Sequence, residues 1–277
     1  MRINNNVMAF NAHRNLSLTQ NRLGKSLEKL SSGFRINRAG DDAAGLVISE
    51  TLRAQVGGMK TALRNAQDGV SVTQTAEGAL TEVHAMLQRI RDLAVQASNT
   101  GANGGAAGSS VAAAQAEVNQ LVSAIDDIAN NTEFNGTSLL NGTATLTFQV
   151  GANGGETIAL TLSDMNAAAI TISTLVSGQA GDLNGGASAA IAVVDNAISA
   201  VSAFRGTLGS TQNRLEHTIN NLQVATENLT ASESRIRDAD MAQEMTEFTR
   251  NQILAQAGTA MLAQANSVPQ GVLSLLQ

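Results

Sequence analysis

An apolar side chain stands at every seventh position of this chain from residue 194 to residue 236. The row is Val194, Val201, Leu208, Leu215, Leu222, Leu229 and Ile236. A second row three positions further on carries mostly small side chains: Ala197, Phe204, Thr211, Thr218, Ala225 and Ser232. An unbroken repeat of seven predicts a helix whose seam lies against other helices. At about 1.5 Å per residue it would be about 60 Å long, too long for a compact globule. Taken alone, the row also fits a plain coiled-coil spacer.

The composition favours a thin, aliphatic core. Aromatic residues make up 2% of the 277 residues, with six Phe and neither Trp nor Tyr. A single proline and abundant Ala, Leu and Gln favour long helices over a sheet-centred enzyme fold. Without cysteine the chain forms no disulfide and no thiolate metal site. No continuous run of about 18 apolar residues occurs, so the sequence predicts no membrane span.

Charge is distributed unevenly around the net value of −6. Residues 92–204 hold 9 acidic and no basic side chains, and residues 251–277 hold no ionisable side chain at all. A solvated tail is rarely so free of charge. No concentrated basic stripe is present, which argues against binding to nucleic acid. The N-terminus lacks the apolar core of a secretory signal peptide, so we expect no cleaved leader.

Apolar spacing predicts further helices at both ends of the chain. Leu16, Leu23, Leu27, Leu30 and Phe34 form one stripe, which should end near Gly33. Asp41 and Asp42 are placed to cap a second helix running from residue 42 to about residue 98. A glycine-rich loop at 99–110 should precede a third helix over 111–128. The last helix should start near residue 240 and carry the heptad row Leu254, Met261, Val268 and Leu275, interrupted near its end by Pro269. We expect the two end helices to pair.

Between these helices the period changes to two. Residues 145–150 and 158–162 alternate apolar and polar side chains on either side of a glycine-rich turn, which predicts a β-hairpin. Ile170 and Ile172 are candidates for a short third strand, and residues 178–188 for a loop.

No constellation of residues indicates catalysis or a bound cofactor. His13, His84 and His217 fall on helical stripes without a nucleophile or a metal-binding partner nearby. Asp41 and Asp42 have no such neighbour either, which favours helix capping over acid–base chemistry. The glycine-rich loop lacks the Lys-Ser/Thr ending of a phosphate-binding loop. We therefore predict no enzyme, no cofactor and no metal.

Several blocks of the sequence resemble those of bacterial flagellins, in the same order. They are SSGFRIN at 31–37, DDAAGL at 41–46, NAQDG at 65–69, QTAEGAL at 74–80, QRIRDLAVQ at 88–96, FNG at 134–136, NRLEH at 213–217, SESRIRD at 232–238 and AMLAQAN at 260–266. The resemblance covers roughly residues 1–142 and 190–277. The short middle segment indicates a family member without large outer domains.

The resemblance implies a mainly α fold, a long antiparallel helical bundle or coiled coil with paired N- and C-terminal helices and a small β-hairpin region. Residues 1–40 with 238–277 would form a coiled-coil filament-core domain, 41–142 with 190–237 a helical bundle domain, and 143–189 a small tip region. The function implied is that of a structural subunit of the flagellar filament, outside the cell. Self-assembly would use the terminal rows, namely Leu23, Leu27, Leu30, Phe34, Leu254, Met261, Val268 and Leu275.

Resemblance to flagellins also implies partners. Besides other copies of the chain, these are the filament cap protein, the hook–filament junction protein, the export chaperone and the export apparatus, but no nucleic acid or membrane. Some flagellins are bound by an animal Toll-like receptor, through residues that match Gln88, Arg89, Leu93 and Glu117 here. Arg89 and Leu93 are four apart, so we expect one face to present both. Two alternatives are a junction protein of the flagellin-like family and a signalling coiled coil.

Overall fold

A computed structural model describes residues 6–99, 109–176 and 183–274, with side chains except at 184, 185 and 269–274. The helices are α1 (Val7–Ser32), α2 (Ala43–Ala97), α3 (Ser109–Asn131), α4 (Leu183–Arg237) and α5 (Met241–Ser274), with a short 3-10 helix at Ile172–Leu175. The strands are β1 (Glu133–Phe134), β2 (Thr137–Ser138), β3 (Thr145–Gln149) and β4 (Thr157–Thr161). The predicted mainly α class is confirmed.

The helix ends are set by the capping residues that the sequence indicates. Gly33 has φ 75° and its N–H donates to the Lys29 carbonyl at 2.8 Å, which ends α1. Asp42 Oδ1 accepts a hydrogen bond from the Gly45 N–H at 2.9 Å, so this side chain caps α2. Both predictions are confirmed.

The heptad row of α4 is buried over most of its length. Val194, Val201, Leu208 and Leu215 are at most 1% exposed and Leu222 is 7% exposed, whereas Leu229 and Ile236 are half-buried. The second row behaves in the same way, with Ala197, Phe204 and Thr211 buried. The seam of this helix is therefore a packing surface, as predicted.

The chain divides into two units. Unit 1 comprises Met1–Val56 and Glu227–Gln277, and unit 2 comprises Gly57–Thr226. In unit 1, α1 packs against α5, so the predicted pairing of the end helices is confirmed. Unit 2 holds the main core, where α2, α3 and α4 bury aliphatic side chains together with the β3–β4 region and the 3-10 helix.

The predicted hairpin is confirmed and packs on α2 inside unit 2. Strands β3 and β4 are antiparallel, with Thr145 opposite Thr161 and Phe148 opposite Ile158. A Cβ placed on Gly69 would lie 3.2 Å from Phe148 Cγ and 3.1 Å from Leu215 Cδ1, so the hairpin approaches the helix closely at this glycine. The Asn65 side chain donates to the Gln149 carbonyl at 3.0 Å and fixes the position of β3 along α2.

Several sequence predictions in the connecting segments are wrong. Ile170 and Ile172 form no third strand, because the chain turns into the 3-10 helix at Ile172. A two-stranded β1–β2 hairpin was not predicted; its turn places Asn135 at φ 50° and Gly136 at φ 76°, as a tight hairpin requires. Residues 109–110 are helical and not loop, and so are residues 183–188 apart from a kink at Gly186, where φ is −154° and ψ is 40°. Positions 100–108 and 178–182 of the two predicted loops lie outside the described residues.

Pro269 does not interrupt α5, which continues to Ser274. A proline has no N–H to donate to the carbonyl four residues earlier, so the Ala265 carbonyl lacks its usual helical partner. The Asn6 side chain donates to this carbonyl at 2.7 Å, while Asn6 Oδ1 accepts from the Ala9 N–H at 3.1 Å. One asparagine therefore caps α1 and also satisfies the backbone group that the proline leaves free.

One helix among the described residues, Gly186–Arg237, could cross a membrane by length and composition. Its most apolar window has a mean hydropathy of 1.5, and 28% of that window is buried. The same helix carries Asp195, which pairs with Arg91 at 2.7 Å, and buries its heptad row inside unit 2. We therefore interpret it as a packing helix of the bundle.

Candidate assembly surface

Large apolar side chains are exposed mainly in unit 1. Among the described residues they are Val7, Met8, Phe10, Leu18, Leu27, Val47, Ile48, Met241, Met245, Ile253, Leu254 and Met261, whereas unit 2 exposes Val95 and Val224. Phe10 is 72% exposed and Met261 is 62% exposed. Single exposed apolar residues are ordinary on a soluble protein, but a concentration on a few helices marks an interaction surface. We call these twelve side chains the assembly surface.

The contact between α1 and α5 uses small residues of α5. Asn251 and Ala265 are 6% and 7% exposed, and Gly258 lies halfway between them at the same spacing of seven. A Cβ on Gly258 would lie 3.2 Å from Leu16 Cδ1, and Leu16 is 9% exposed. The absence of large side chains in this row lets the two helices approach closely. This row was not predicted because its members are not large apolar residues, although their spacing of seven is visible in the sequence.

The predicted self-assembly residues that the structure describes are exposed or half-buried, so none of them is fully buried in the contact between α1 and α5. Leu254 and Met261 are 46% and 62% exposed, and Leu27 is 51% exposed. The others that the structure describes are half-buried: Leu23, Leu30, Phe34 and Val268. Leu275 lies outside the described residues. Pairing of α1 with α5 thus leaves a substantial part of both apolar rows without a partner inside the chain.

Backbone and side-chain contacts join the two connectors of unit 1. Phe34 and Asp238 form an antiparallel bridge, the Arg35 N–H donates to the Arg237 carbonyl at 2.7 Å, and the Ala239 N–H donates to the Gly33 carbonyl at 2.9 Å. The Arg237 guanidinium lies 4.7 Å from the centre of the Phe34 ring and pairs with Glu50. Phe34 is thereby held at the end of α1. The sequence indicated Phe34 but not Arg237.

The structure brings together two of the four candidate receptor-binding residues. Arg89 Nε donates to Glu117 Oε1 at 2.7 Å, and both side chains are about half exposed, at 55% and 43%. This hydrogen bond from the guanidinium lowers the pKa of Glu117 from its ordinary value of 4.5. Gln88 lies 3.0 Å from His84 Nε2 on the same helix.

The expectation that Leu93 is presented beside Arg89 is wrong. Leu93 is 3% exposed and belongs to the core of unit 2. A spacing of four places two side chains near each other on a helix, but their directions still differ by about 40°. Arg89 falls on the solvent side of that boundary, where it reaches α3, and Leu93 falls on the buried side.

The described part of the chain contains no group of three or more His, Asp or Glu residues that could hold a metal ion. An open depression in unit 1 is lined by Lys25, Lys29, Arg35, Ile36, Gly40, Asp41 and Asp42. Its charged side chains have partners within unit 1: Lys25 lies 3.5 Å from Asp41, Lys29 lies 3.9 Å from Glu244, and the Arg35 side chain donates to the Ile236 carbonyl. Unlike the depression, the assembly surface consists of exposed apolar side chains, and it is therefore the candidate functional site of unit 1.

The end helices of this chain pair with each other and leave apolar side chains exposed. These features are those of a structural subunit that assembles with copies of itself. Comparison with known proteins agrees. The bacterial flagellin N-terminal helical region matches residues 3–145 and the C-terminal helical region matches residues 191–276. The chain belongs to the bacterial flagellin family.

Relatives of similar length support this assignment. The chain is 50% identical to a flagellin of Bacillus subtilis and 54% identical to one of Halalkalibacterium halodurans, each over 100% of both chains. The crystal structure of Bacillus cereus flagellin is similar to this chain, with 34% sequence identity and a TM-score of 0.50. The match covers 57% of this chain and 88% of that chain. Flagellins are a structural protein family, whose members are self-assembling subunits of the extracellular flagellar filament. Full-length identity favours this function over a junction protein or a signalling coiled coil.

Proposed function

We propose that this chain polymerises into the flagellar filament through the assembly surface of unit 1. The observation that carries the proposal is the concentration of exposed apolar side chains on α1, the first turns of α2, and α5. In terms of domains, we propose that residues 1–40 with 238–277 form the terminal coiled-coil domain of the filament core, 41–142 with 190–237 a helical bundle domain, and 143–189 a small β-hairpin and loop tip region.

The burial available on this surface is of the right size for assembly. Complete burial of a large apolar side chain contributes about 1.5–3 kcal/mol. Each of the twelve side chains still has roughly half of its surface in solvent, so their full burial would contribute on the order of 10 kcal/mol. That is comparable to the about 4–15 kcal/mol lost in translational and rotational freedom on association. Each subunit in a helical polymer has several neighbours, so this contribution is divided among its contacts with them.

The charge pattern also favours assembly. Helix α5 carries no ionisable side chain after Arg250, so copies of this segment can approach one another without repulsion or the cost of burying a charge. We further propose that the chain is not an enzyme and binds no cofactor. As partners besides itself we propose the filament cap protein, the hook–filament junction protein, the export chaperone and the export apparatus.

Seeded growth of the purified chain tests the proposal. Monomer added to short filament fragments should extend them into long filaments visible by electron microscopy. Leu254→Asp places a charge on the assembly surface and should abolish extension. Val224→Asp is the matched control, because Val224 is exposed to a similar degree in unit 2, and it should extend normally. Capping of the seeds without growth would instead support a junction protein, and equal growth of both variants would place the contacts elsewhere.

A second proposed function is recognition by a host Toll-like receptor at Gln88, Arg89 and Glu117. It is favoured by the exposed Arg89–Glu117 pair, which joins α2 to α3 at one point of the surface. Arg89→Ala should weaken receptor binding to folded monomer by about 2 kcal/mol, a typical loss for a central contact. Arg91→Ala is a suitable control, since Arg91 makes an equivalent pair with Asp195 at 2.7 Å. Equal affinity of the Arg89 variant and the parent chain would refute the site.

A further inference from the structure

The methionines of the chain differ sharply in exposure between the two units. In unit 1, the described methionines Met8, Met241, Met245 and Met261 are 65%, 46%, 50% and 62% exposed. In unit 2, Met59 and Met86 are half-buried and Met165 is 5% exposed. Four of the twelve side chains of the assembly surface are thus thioethers in contact with solvent. Because the chain has no cysteine, methionine sulfur is its only sulfur.

We propose that Met8, Met241, Met245 and Met261 form an oxidation site through which hydroperoxides control polymerisation of the subunit. The inference rests on the proposed function, since it assigns a chemical control to the same surface. The sulfur lone pair attacks one oxygen of the peroxide, the O–O bond breaks and an S–O bond forms. Methionine loses two electrons and the peroxide gains them. The attacked oxygen is the one that carries hydrogen, and its proton passes to the other oxygen, which leaves as water or an alcohol. The product is methionine sulfoxide, which dedicated reductases convert back.

Oxidation changes the property on which assembly depends. A thioether is apolar and adapts its shape to a neighbour, whereas a sulfoxide carries a strong hydrogen-bond acceptor and is polar. Met261 lies in the uncharged part of α5, next to the row of small residues that contacts α1. Burying a sulfoxide there against apolar side chains without a donor opposes association. The monomer exposes these methionine residues to solvent, and assembled neighbours would cover them. The free subunit is therefore the sensitive state.

Peroxide treatment of folded monomer tests the inference. Monomer is exposed to hydrogen peroxide, the peroxide is removed, and mass spectrometry locates the added oxygen. The critical concentration for seeded growth is then measured. The variants are M8L/M241L/M245L/M261L, which keeps the volume and cannot be oxidised at these positions, and the control M59L/M86L in unit 2. Treated wild type and treated control should show critical concentrations at least about tenfold higher than before treatment, equivalent to about 1.4 kcal/mol. The four-leucine variant should be unaffected.

Further arms keep the outcome unambiguous. Addition of methionine sulfoxide reductases A and B to treated wild type should restore growth, which tests the inference even if the four-leucine variant assembles poorly. Oxidation of the four residues without loss of growth would overturn the inference, and so would an equal loss in the four-leucine variant or a failure of the reductases to restore growth. Untreated wild type reports on the proposed function separately: if it does not extend seeds, self-assembly fails, and if it does, only the control by oxidation is in question.

Discussion

Replacement of Leu215 by alanine should destabilise unit 2 strongly, because this side chain closes the contact between α4, α2 and the β3–β4 hairpin. Leu215 is 0% exposed and forms a small buried cluster with Ala66, Val150 and Ile158. Its Cδ1 also lies against the backbone of α2 at Gly69. Removal of three side-chain carbons from a site with rigid backbone on one side leaves a cavity that cannot close easily. Leu→Ala changes in such sites cost about 3 kcal/mol, a large part of a total of about 5–15 kcal/mol.

Urea unfolding followed by circular dichroism would measure this loss. With a slope of about 2 kcal/mol per M, the midpoint of the unit 2 transition should fall by roughly 1.5 M at unchanged slope. Amide hydrogen exchange would locate the effect, with faster exchange in β3, β4 and the middle of α4. Val224→Ala is the control, since Val224 is 59% exposed about two and a half turns further along α4, and its effect should stay within about 0.5 kcal/mol. A midpoint for Leu215→Ala that matches the control would refute the packing described for the heptad row.

Three further predictions concern unit 1 and the surface of unit 2. Asn6→Ala removes both the α1 cap and the hydrogen bond to the Ala265 carbonyl, so hydrogen exchange in the first turn of α1 should accelerate. In a Pro269→Ala background the Ala265 carbonyl regains a helical donor, so the acceleration caused by Asn6→Ala should be smaller there. The carboxyl of Glu117 should titrate below 4.5 by NMR in the folded monomer and return to the ordinary value in Arg89→Gln. Because the folded pKa is the lower one, this pairing stabilises the fold above pH 4.5 and is lost as pH falls through the folded pKa. Trypsin should cleave α1 and α5 in the monomer but not in the filament, and equal cleavage in both states would contradict burial of these helices on assembly.

The long helices and the hairpin were predictable because their patterns are regular and their partners lie within the chain. The row from Val194 to Leu222 is buried as the repeat of seven requires. Capping by Asp42 and Gly33 was also visible, since side-chain and backbone geometry at a helix end depends on a few adjacent residues.

Predictions failed where the outcome depends on distant residues. Where α5 passes Pro269, the Ala265 carbonyl accepts its hydrogen bond from Asn6, at the other end of the chain. The burial of Leu93 depends on how α3 and α4 cover one side of α2, which spacing along α2 alone does not fix. The heptad rows of the end helices predicted apolar residues on both. They did not show which residues form the contact between α1 and α5 and which remain exposed as the assembly surface. The structure assigns that contact to Leu16 and the small residues around Gly258.

Footprinting of side chains in monomer and filament tests the central claim most directly. Hydroxyl radicals modify exposed side chains, and mass spectrometry quantifies the modification at Phe10, Leu27 and Leu254, which are 72%, 51% and 46% exposed in the monomer. Leu80, which is 0% exposed, serves as the internal reference. If the assembly surface forms the contacts between subunits, modification at the three positions should fall in the filament to the level of Leu80. Unchanged modification of these side chains in well-formed filaments would show that the subunits associate through another surface.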